Sequence, residues 1–220
     1  MLLVYGTLGG LAGVLGIPYS LVVGNVDRLY RVSMWIARAG LRAARIRVEV
    51  TGQERVPSGV SCIFLSNHVS NLDPPVLLKK ELMKIPLLGT AMRMGRFVPV
   101  ERGRRLDAAK ESMAAAAAAL QAGLHMVIFA EGTRSKDGRL AAFKRGPFYL
   151  AMETGAPIVP VAISGTQTMM RKGSVAITPG VARVEMLEAI WPKDFATRDE
   201  LMRVVRAAMV EALPVEMRPI

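Results

Sequence analysis

The stretch that decides the fold is Gly59–Asp73, "GVSCIFLSNHVSNLD". Its first half is an apolar run of strand length, which is typical of a strand buried in a sheet. Its second half is polar and stops at Pro74, the first of two consecutive prolines. The stretch therefore predicts a buried strand that runs into a loop, with His68 just past the carboxyl end of the strand.

Strands and helices alternate on both sides of this stretch. Apolar runs predict strands at 45–52, 59–66, 94–102, 124–130, 157–165, 173–180 and 182–190. Longer amphipathic or alanine-rich segments predict helices at 74–85, 104–123, 145–154 and 197–213, the last with Thr197 as its N-cap. This alternation is typical of βαβ units, so we expect an α/β fold with a mostly parallel mixed sheet flanked by helices. Such sheets bind ligands outside the carboxyl ends of their strands.

The first 26 residues contain no charged side chain. An apolar run of about 20 residues is long enough to span a bilayer as a helix. Several glycines and Pro18 fit a shallow or broken insertion equally well. Both readings stay open, and both predict an N-terminal hydrophobic segment that anchors the chain to a membrane.

Arginine follows this segment at once. On a helix, the arginines of residues 28–47 lie mostly on one side and the apolar residues on another, with Trp35 at headgroup level. This pattern is typical of a basic amphipathic helix at a membrane interface, and a solvated helix face is the alternative. Arginines after an apolar segment also predict that the rest of the chain is cytoplasmic. We therefore expect a membrane-associated helical segment at 1–45 and a separate domain at 46–220.

The composition indicates an acidic partner. The 220 residues carry a net charge of +11, with 51% hydrophobic residues and a mean hydropathy of +0.31. Nucleic acid, an anionic lipid surface or a phosphorylated substrate would each match that charge. Aromatic residues make up only 5%, so few side chains are available for stacking on single-stranded nucleic acid. The single cysteine, Cys62, excludes an internal disulfide bond.

His68 and Asp73 suggest a general base and its orienting group. A neutral imidazole takes a proton at neutral pH, and a carboxylate on its other nitrogen fixes the tautomer. A turn that is closed before Pro74 would bring the two side chains together. The spacing alone also fits a solvated loop.

Other chemistries lack their signatures in this sequence. No G-x-S-x-G is present, so a nucleophile elbow is missing. A zinc site uses three or four His, Cys or carboxylate ligands, and the chain has only two histidines and one cysteine. Neither a P-loop nor a dinucleotide-binding glycine motif follows any predicted strand. We expect no metal, and we expect His125 to be an edge or packing residue.

The second polar stretch is Phe129–Gly138, "FAEGTRSKDG", which also leaves a predicted strand. Glycine, hydroxyl and guanidinium groups beside one another make a suitable phosphate cradle. Arg102 would join them from the end of the neighbouring strand, and Glu131 would orient an arginine or accept from a substrate hydroxyl. An ordinary basic turn is the alternative for this stretch.

These stretches, in this order, resemble the conserved blocks of the glycerolipid acyltransferase family. The first block is Asn-His, four residues and Asp, present here as Asn67-His68 and Asp73. The second ends in Glu101-Arg102, and the third is Phe129–Ser135, with alanine in place of the family's proline at 130. "FKRG" at 143–146 and "PIVPVAISG" at 157–165 resemble later blocks.

The resemblance implies an enzyme that transfers an acyl group from acyl-CoA or acyl carrier protein to the sn-2 hydroxyl of lysophosphatidic acid. His68 and Asp73 would be its catalytic pair. The substrate-binding set would be Asn67, Arg102, Glu131, Gly132, Thr133, Arg134 and Lys144. No cofactor beyond the thioester co-substrate is implied.

The resemblance runs from about Gly52 to Ile190. We therefore expect residues 46–220 to form the acyltransferase domain, on the cytoplasmic face of the cell membrane. Its partners would be the phospholipid bilayer, the lysolipid and the donor, and not nucleic acid. Another lysophospholipid or an aminolipid is the alternative acceptor. A basic membrane-binding or nucleic-acid-binding protein without catalysis is a more distant alternative, since it would not need His68, Asp73 or the Glu131–Arg134 stretch.

Overall fold

The structure is a computed structural model. It describes Val14, Gly16, Pro18, Tyr19, Val22, Val23 and residues 27–70, 78–79, 99–100, 106–169 and 177–220.

Seven strands are present in the described ranges. In chain order they are β1 (Ile46–Thr51), β2 (Ile63–Ser66), β3 (Leu78–Lys79), β4 (Pro99–Val100), β5 (Met126–Phe129), β6 (Ile158–Ser164) and β7 (Gly180–Met186). Five of them form one sheet in the order β1-β7-β6-β2-β5, and β3 pairs with β4 in a separate two-stranded sheet.

The five-stranded sheet is mixed but mostly parallel, as the sequence predicted. β2 runs parallel to both of its neighbours, β5 and β6. β7 runs antiparallel to β6 and parallel to the edge strand β1. The three parallel neighbours β5, β2 and β6 therefore have their carboxyl ends at the same edge of the sheet.

The described helices are α1 (Asp27–Ala43), α2 (Leu106–Gln121), α3 (Gly146–Thr154), α4 (Thr166–Met169) and α5 (Arg198–Ala212). Thr197 is the N-cap of α5, and its hydroxyl accepts a hydrogen bond from the Glu200 N–H at 3.2 Å. The predicted N-cap is thereby confirmed.

The main core lies between the strands β5, β2 and β6 and the helices α2, α3 and α5. Alternate residues of a strand point to opposite faces, so Ile63, Leu65 and Ile128 point toward these helices. On the helices, Leu120, Phe148 and Leu201 pack against them. A smaller cluster on the opposite face consists of Cys62, Val159, Val161 and Ile163.

One glycine is required by its surroundings. Gly52 follows β1 with φ +76°, and a Cβ there would run into the carbonyl group of Met186. Only glycine lets β1 end this close to the end of β7.

Two predicted elements are wrong where the structure describes them. Leu78 and Lys79, predicted as helix, form a strand parallel to Pro99–Val100. This pairing between distant segments outweighs the local helix pattern. Residues 177–179, predicted as the end of a strand, are not in a strand, and β7 starts only at Gly180. Pro179 has no N–H to donate, so the ladder begins after it.

Helix α1 packs on the edge of the sheet through one face. Ile36 and Gly40 are buried on that face, and Leu41 and Ala44 pack with Ile46 of β1. The other face exposes Trp35, and the three arginines in its central and last turns are also exposed: Arg31, Arg38 and Arg42.

In the ranges that the structure describes, no helix has both the length and the apolar character to cross a membrane. Most of residues 1–26 lie outside those ranges. The membrane-anchoring segment and the division of the chain at residue 45 therefore stay predictions.

Candidate active site

The candidate site lies at the shared edge where β2 and β5 end. These strands are paired in register, with Ser66 opposite Phe129. The Ala130 N–H donates to the Ser66 carbonyl at 2.8 Å, which carries the ladder one residue further. Two predicted stretches, Asn67-His68 and Glu131–Arg134, follow directly, so the fold brings the first and third sequence blocks together.

Asn67 joins the end of β2 to β6. Its side chain is fully buried, its Oδ1 accepts from the Ile163 N–H at 2.7 Å, and its Nδ2 donates to the Ile163 carbonyl at 2.9 Å. The backbone ladder between these strands reaches only Ser66 and Val161. The amide therefore continues the pairing by one step, at the residue before His68. Substrate binding by Asn67 stays a prediction.

Glu131 and Ser135 hold the backbone of His68 at both of its polar groups. The His68 N–H donates to Glu131 Oε1 at 2.9 Å, and the Ser135 N–H donates to the His68 carbonyl at 2.8 Å. The second oxygen of Glu131, Oε2, accepts from the Ala141 N–H at 2.9 Å. Glu131 is almost completely buried, at 3% exposure.

These two hydrogen bonds are a role that the sequence did not suggest for Glu131. The sequence suggested that it orients an arginine or accepts from a substrate hydroxyl. The structure shows its carboxylate binding two backbone N–H groups, one of them on the predicted base. Contact between Glu131 and a substrate stays a prediction.

The ring of His68 lies on the ring of Phe129. The two centroids are 3.9 Å apart and the planes differ by 10°. Phe129 is itself buried, at 9% exposure, while His68 is half-buried. Sequence reasoning used Phe129 only as part of the third block. An aromatic residue at the last position of a strand beside a candidate base was the signal that could have identified it.

Gly132 lets a lysine cross the loop. It has φ +71°, and a Cβ there would lie 3.2 Å from Lys144 Cγ. The stem of Lys144 thus passes over Gly132, while its own N–H donates to the Ala130 carbonyl at 2.7 Å. Thr133 and Lys144 are exposed and Arg134 is half-buried. The structure therefore brings four of the predicted substrate-binding residues into one loop region beside His68.

Asp73 and Arg102 lie outside the described residues. The pairing of His68 with Asp73, and the approach of Arg102 to Arg134, therefore stay predictions.

A turn stiffens the far side of the loop. The Ser135 hydroxyl donates to Asp137 Oδ1 at 2.9 Å, and the Arg139 N–H donates to the same oxygen at 3.0 Å. The Arg139 N–H is the main cause, and the Ser135 hydroxyl the second, of a pKa of Asp137 below its ordinary value. The C-terminal segment supports the same loop, because the Leu140 N–H donates to the Met217 carbonyl at 2.8 Å.

The second histidine lies at the opposite end of β2 and β5. His125 Nδ1 accepts from the Cys62 N–H at 3.1 Å, and its ring contacts Phe64 edge-on at 5.7 Å. His125 is thus an edge residue with a structural hydrogen bond, as predicted. Burial raises the pKa of the Cys62 thiol. Within the described ranges, no three His, Cys, Asp or Glu side chains lie close enough together to hold a metal ion.

Comparison with known proteins identifies the family of this fold and site. The model of the acyltransferase family matches residues 47–164, more than half of the chain. A 1-acyl-sn-glycerol-3-phosphate acyltransferase of Limnanthes alba is 30% identical over 188 residues, which cover 80% of this chain and 66% of that protein. The protein of the same name from Pseudomonas aeruginosa is 29% identical over 88% of this chain and 79% of its own length.

A solved structure agrees with these relatives. The crystal structure of the 1-acyl-sn-glycerophosphate acyltransferase PlsC from Thermotoga maritima superposes with a TM-score of 0.74 at 28% identity, over 96% of this chain and 92% of that one. This chain spans just under two thirds of the length of the Limnanthes relative. The fold, the matched family model and the relatives together show that the chain belongs to the acyltransferase family, among the PlsC-like glycerolipid acyltransferases.

Proposed function

We propose that the protein transfers an acyl group from a thioester to the free sn-2 hydroxyl of lysophosphatidic acid, giving phosphatidic acid. The names of its relatives support this acceptor. The observation that carries the proposal is a pair of backbone hydrogen bonds at His68. Its N–H donates to Glu131 and its carbonyl accepts from Ser135, both in the third block. A residue held this firmly beside an exposed cationic loop suits a general base that acts on a phosphorylated alcohol.

The reaction begins with a proton transfer. The acceptor hydroxyl gives its proton to the imidazole of His68 while its oxygen attacks the thioester carbonyl carbon. Asp73 keeps the imidazole in the required tautomer and stabilises the imidazolium. When the tetrahedral intermediate collapses, the carbon–sulfur bond breaks, and the departing thiolate receives the proton from His68. The acyl group passes directly to the acceptor, so no residue of the chain becomes acylated.

Positively charged side chains and backbone N–H groups stabilise the negative charges of the acceptor phosphate and the oxyanion. Arg134, Lys144 and Arg102 bind the acceptor phosphate, and the loop at Gly132 and Thr133 contributes N–H and hydroxyl donors. Backbone N–H groups near the first block hold the oxyanion, an interaction worth about 10²–10³ in rate. Asn67 and Glu131 contribute by positioning backbone groups: Asn67 binds Ile163 of β6, and Glu131 binds the N–H of His68.

The thiolate is a good leaving group, so the proposed reaction uses no metal and no cofactor besides the thioester co-substrate. Either acyl-CoA or acyl carrier protein can present that thioester. Nucleic acid is not among the proposed partners.

The proposed location is the cytoplasmic face of the cell membrane. Helix α1 exposes Trp35 beside Arg31, Arg38 and Arg42. Arginines attract anionic headgroups, and a tryptophan suits the interface between headgroups and acyl chains. Both the lysolipid and its product reside in the bilayer, so a domain held at this surface meets them directly.

An acyl-transfer assay tests the function. Purified protein in detergent is given acyl-CoA or acyl carrier protein thioester together with lysophosphatidate, other lysophospholipids or an aminolipid. Thiol release and the lipid product are both followed. We expect thiol release coupled to phosphatidate formation, fastest with lysophosphatidate.

The variant His68→Ala links the activity to the site. Loss of a general base lowers the rate about 10²–10⁴-fold. Wild-type turnover in this variant would eliminate His68 as the base. A faster reaction with another acceptor would replace lysophosphatidate as the substrate, and membrane or nucleic-acid binding without any thiol release would favour a non-catalytic protein.

The phosphate-binding role of the loop is tested with Arg134→Ala. We expect KM for lysophosphatidate to rise by about tenfold, the value of one charge-assisted hydrogen bond, with a smaller change for the thioester. Lys136→Ala removes one positive charge from an exposed position of the same loop and is the matched control. Equal rises for both substrates would remove Arg134 from the phosphate site.

A further inference from the structure

From its contact with the predicted base, we infer that Phe129 is a positioning residue for His68, which neither the sequence blocks nor the family comparison assigns. The inference deepens the proposed function and rests on His68 being its general base. The observation is the parallel stack of the two rings, with centroids 3.9 Å apart and planes within 10° of each other. Phe129 would act on the reaction through His68, without touching the substrate.

Phe129 is a rigid support because the pairing with β2 and the turn that follows hold its backbone. It is the last residue of β5 and pairs with Ser66 of β2. Its carbonyl accepts from the Gly132 N–H at 3.1 Å, and the next N–H, that of Ala130, donates to Ser66. Its neighbours Ile128 and Ala130 belong to the main core, so the alternation of the strand turns Phe129 to the opposite face.

The stack acts on a face of the imidazole. Ring nitrogens bond in the plane of the ring, whereas Phe129 covers one of its faces. Phe129 therefore restricts the orientation of the ring without itself bonding to a nitrogen. The hydrogen bond at His125 is of another kind, because there the Cys62 N–H donates to Nδ1.

The stack also presents an aromatic face to the imidazolium that the reaction creates. When His68 takes the hydroxyl proton, the imidazolium lies over the electron-rich face of Phe129, within the distance at which a cation and an aromatic ring attract each other. Restricted orientation and this attraction both act in the transition state. We therefore expect removal of the aromatic ring to lower kcat more than it changes KM.

The test replaces Phe129 with leucine, which keeps an apolar side chain and removes the aromatic face. We expect kcat for acyl transfer to lysophosphatidate to fall about 3- to 10-fold, a range set by the usual strength of an aromatic pair, with KM changed less than twofold. Phe129→Tyr keeps the ring and should restore most of kcat. Phe64→Leu removes the phenylalanine that contacts His125 and is the matched control, with kcat unchanged.

A spectroscopic measurement separates positioning from a general loss of structure. The chain has only two histidines, so the full-length protein labelled with ¹³C-histidine gives two assignable sets of ring signals. Ring current from Phe129 should displace the His68 signals upfield. Phe129→Leu should remove that displacement and leave the His125 signals in place, and Phe64→Leu should do the reverse. If the leucine variant does not fold, Phe129→Met replaces it in both the kinetic and the spectroscopic measurement.

The outcomes are distinct. Unchanged His68 signals in Phe129→Leu would overturn the stack, and moved signals with unchanged kcat would overturn its positioning role. A rise in KM alone would make Phe129 a substrate-binding residue instead. Absence of wild-type acyl transfer, with the His68 signals still dependent on Phe129, would overturn the proposed function and support the contact itself.

Discussion

The two histidines of this protein lie at opposite ends of the same pair of strands, and each contacts a phenylalanine. At the amino ends of β2 and β5, His125 meets Phe64 edge-on at 5.7 Å. At the carboxyl ends, His68 lies flat on Phe129 at 3.9 Å. The same two residue types on the same strands therefore form two different environments.

The difference lies in what holds each histidine. His125 uses a ring nitrogen to accept from the Cys62 N–H, so its side chain completes the hydrogen bonding of the strand end. His68 is held by its backbone, through Glu131 and Ser135, and by one face of its ring. A histidine whose backbone and ring face are held in place suits a role that depends on ring orientation, and one whose nitrogen completes the hydrogen bonding of a strand suits structure.

At the carboxyl ends of the strands, the largest loss of stability is expected when the side-chain amide of Asn67 is removed. Asn67→Ala leaves the N–H and the carbonyl of Ile163 without their partner, and each unsatisfied buried group costs about 1–3 kcal/mol. Chemical denaturation measures the loss. Gln121→Ala removes an amide from an exposed position of α2 and should change the stability little. Equal stability of the two variants would show that β2 and β6 hold together without this amide.

Glu131→Gln weakens the hold on His68 itself. The amide keeps one oxygen, so one of the two backbone N–H groups now faces an NH₂ donor, at a cost of about 1–3 kcal/mol. We expect kcat to fall and KM for lysophosphatidate to stay within twofold. The control, Glu153→Gln, makes the same change at an exposed position of α3. A rise in KM alone would instead support the substrate contact that the sequence predicted.

At the amino ends of the strands, His125→Ala removes the ring nitrogen that accepts from the Cys62 N–H. The loss of a partly buried hydrogen bond should cost about 0.5–1.5 kcal/mol of stability and leave kcat unchanged. Thermal unfolding and the acyl-transfer assay measure the two effects. A large fall in kcat would mean that the two ends of the strand pair are coupled, which the contrast between them does not predict.

The smallest effect is expected at Asp137, whose carboxylate accepts from Arg139 and Ser135. A pKa below the ordinary value means that the charged form stabilises the folded state. This contribution is present above the unfolded pKa, near 3.8, and is lost as the pH falls through the lower folded pKa. Asp137→Asn should therefore be slightly less stable than wild type at pH 7 and equal to it in acid. A difference that grows in acid would contradict this sign.

Much of the fold could be predicted from local pattern. The buried strands β2, β5 and β6, the helices α2, α3 and α5, and the cap at Thr197 all follow from apolar runs and capping residues. The error at Leu78–Lys79 falls where backbone pairing between distant segments decides the structure. The error before Gly180 falls at Pro179, which has no N–H to donate to a ladder. Local periodicity contains no information about a partner strand.

The sequence by itself determined the class of chemistry, because residue types and their order carry it: His68, the glycine loop at Gly132 and the basic charge are readable without coordinates. Only the tertiary structure decided which groups hold the proposed base, His68. Asn67 binds a residue almost a hundred positions away, and Glu131 reaches the His68 backbone across 63 positions. Those contacts depend on the register in which β2 pairs with β5 and β6, a long-range property that no local stretch of chain specifies.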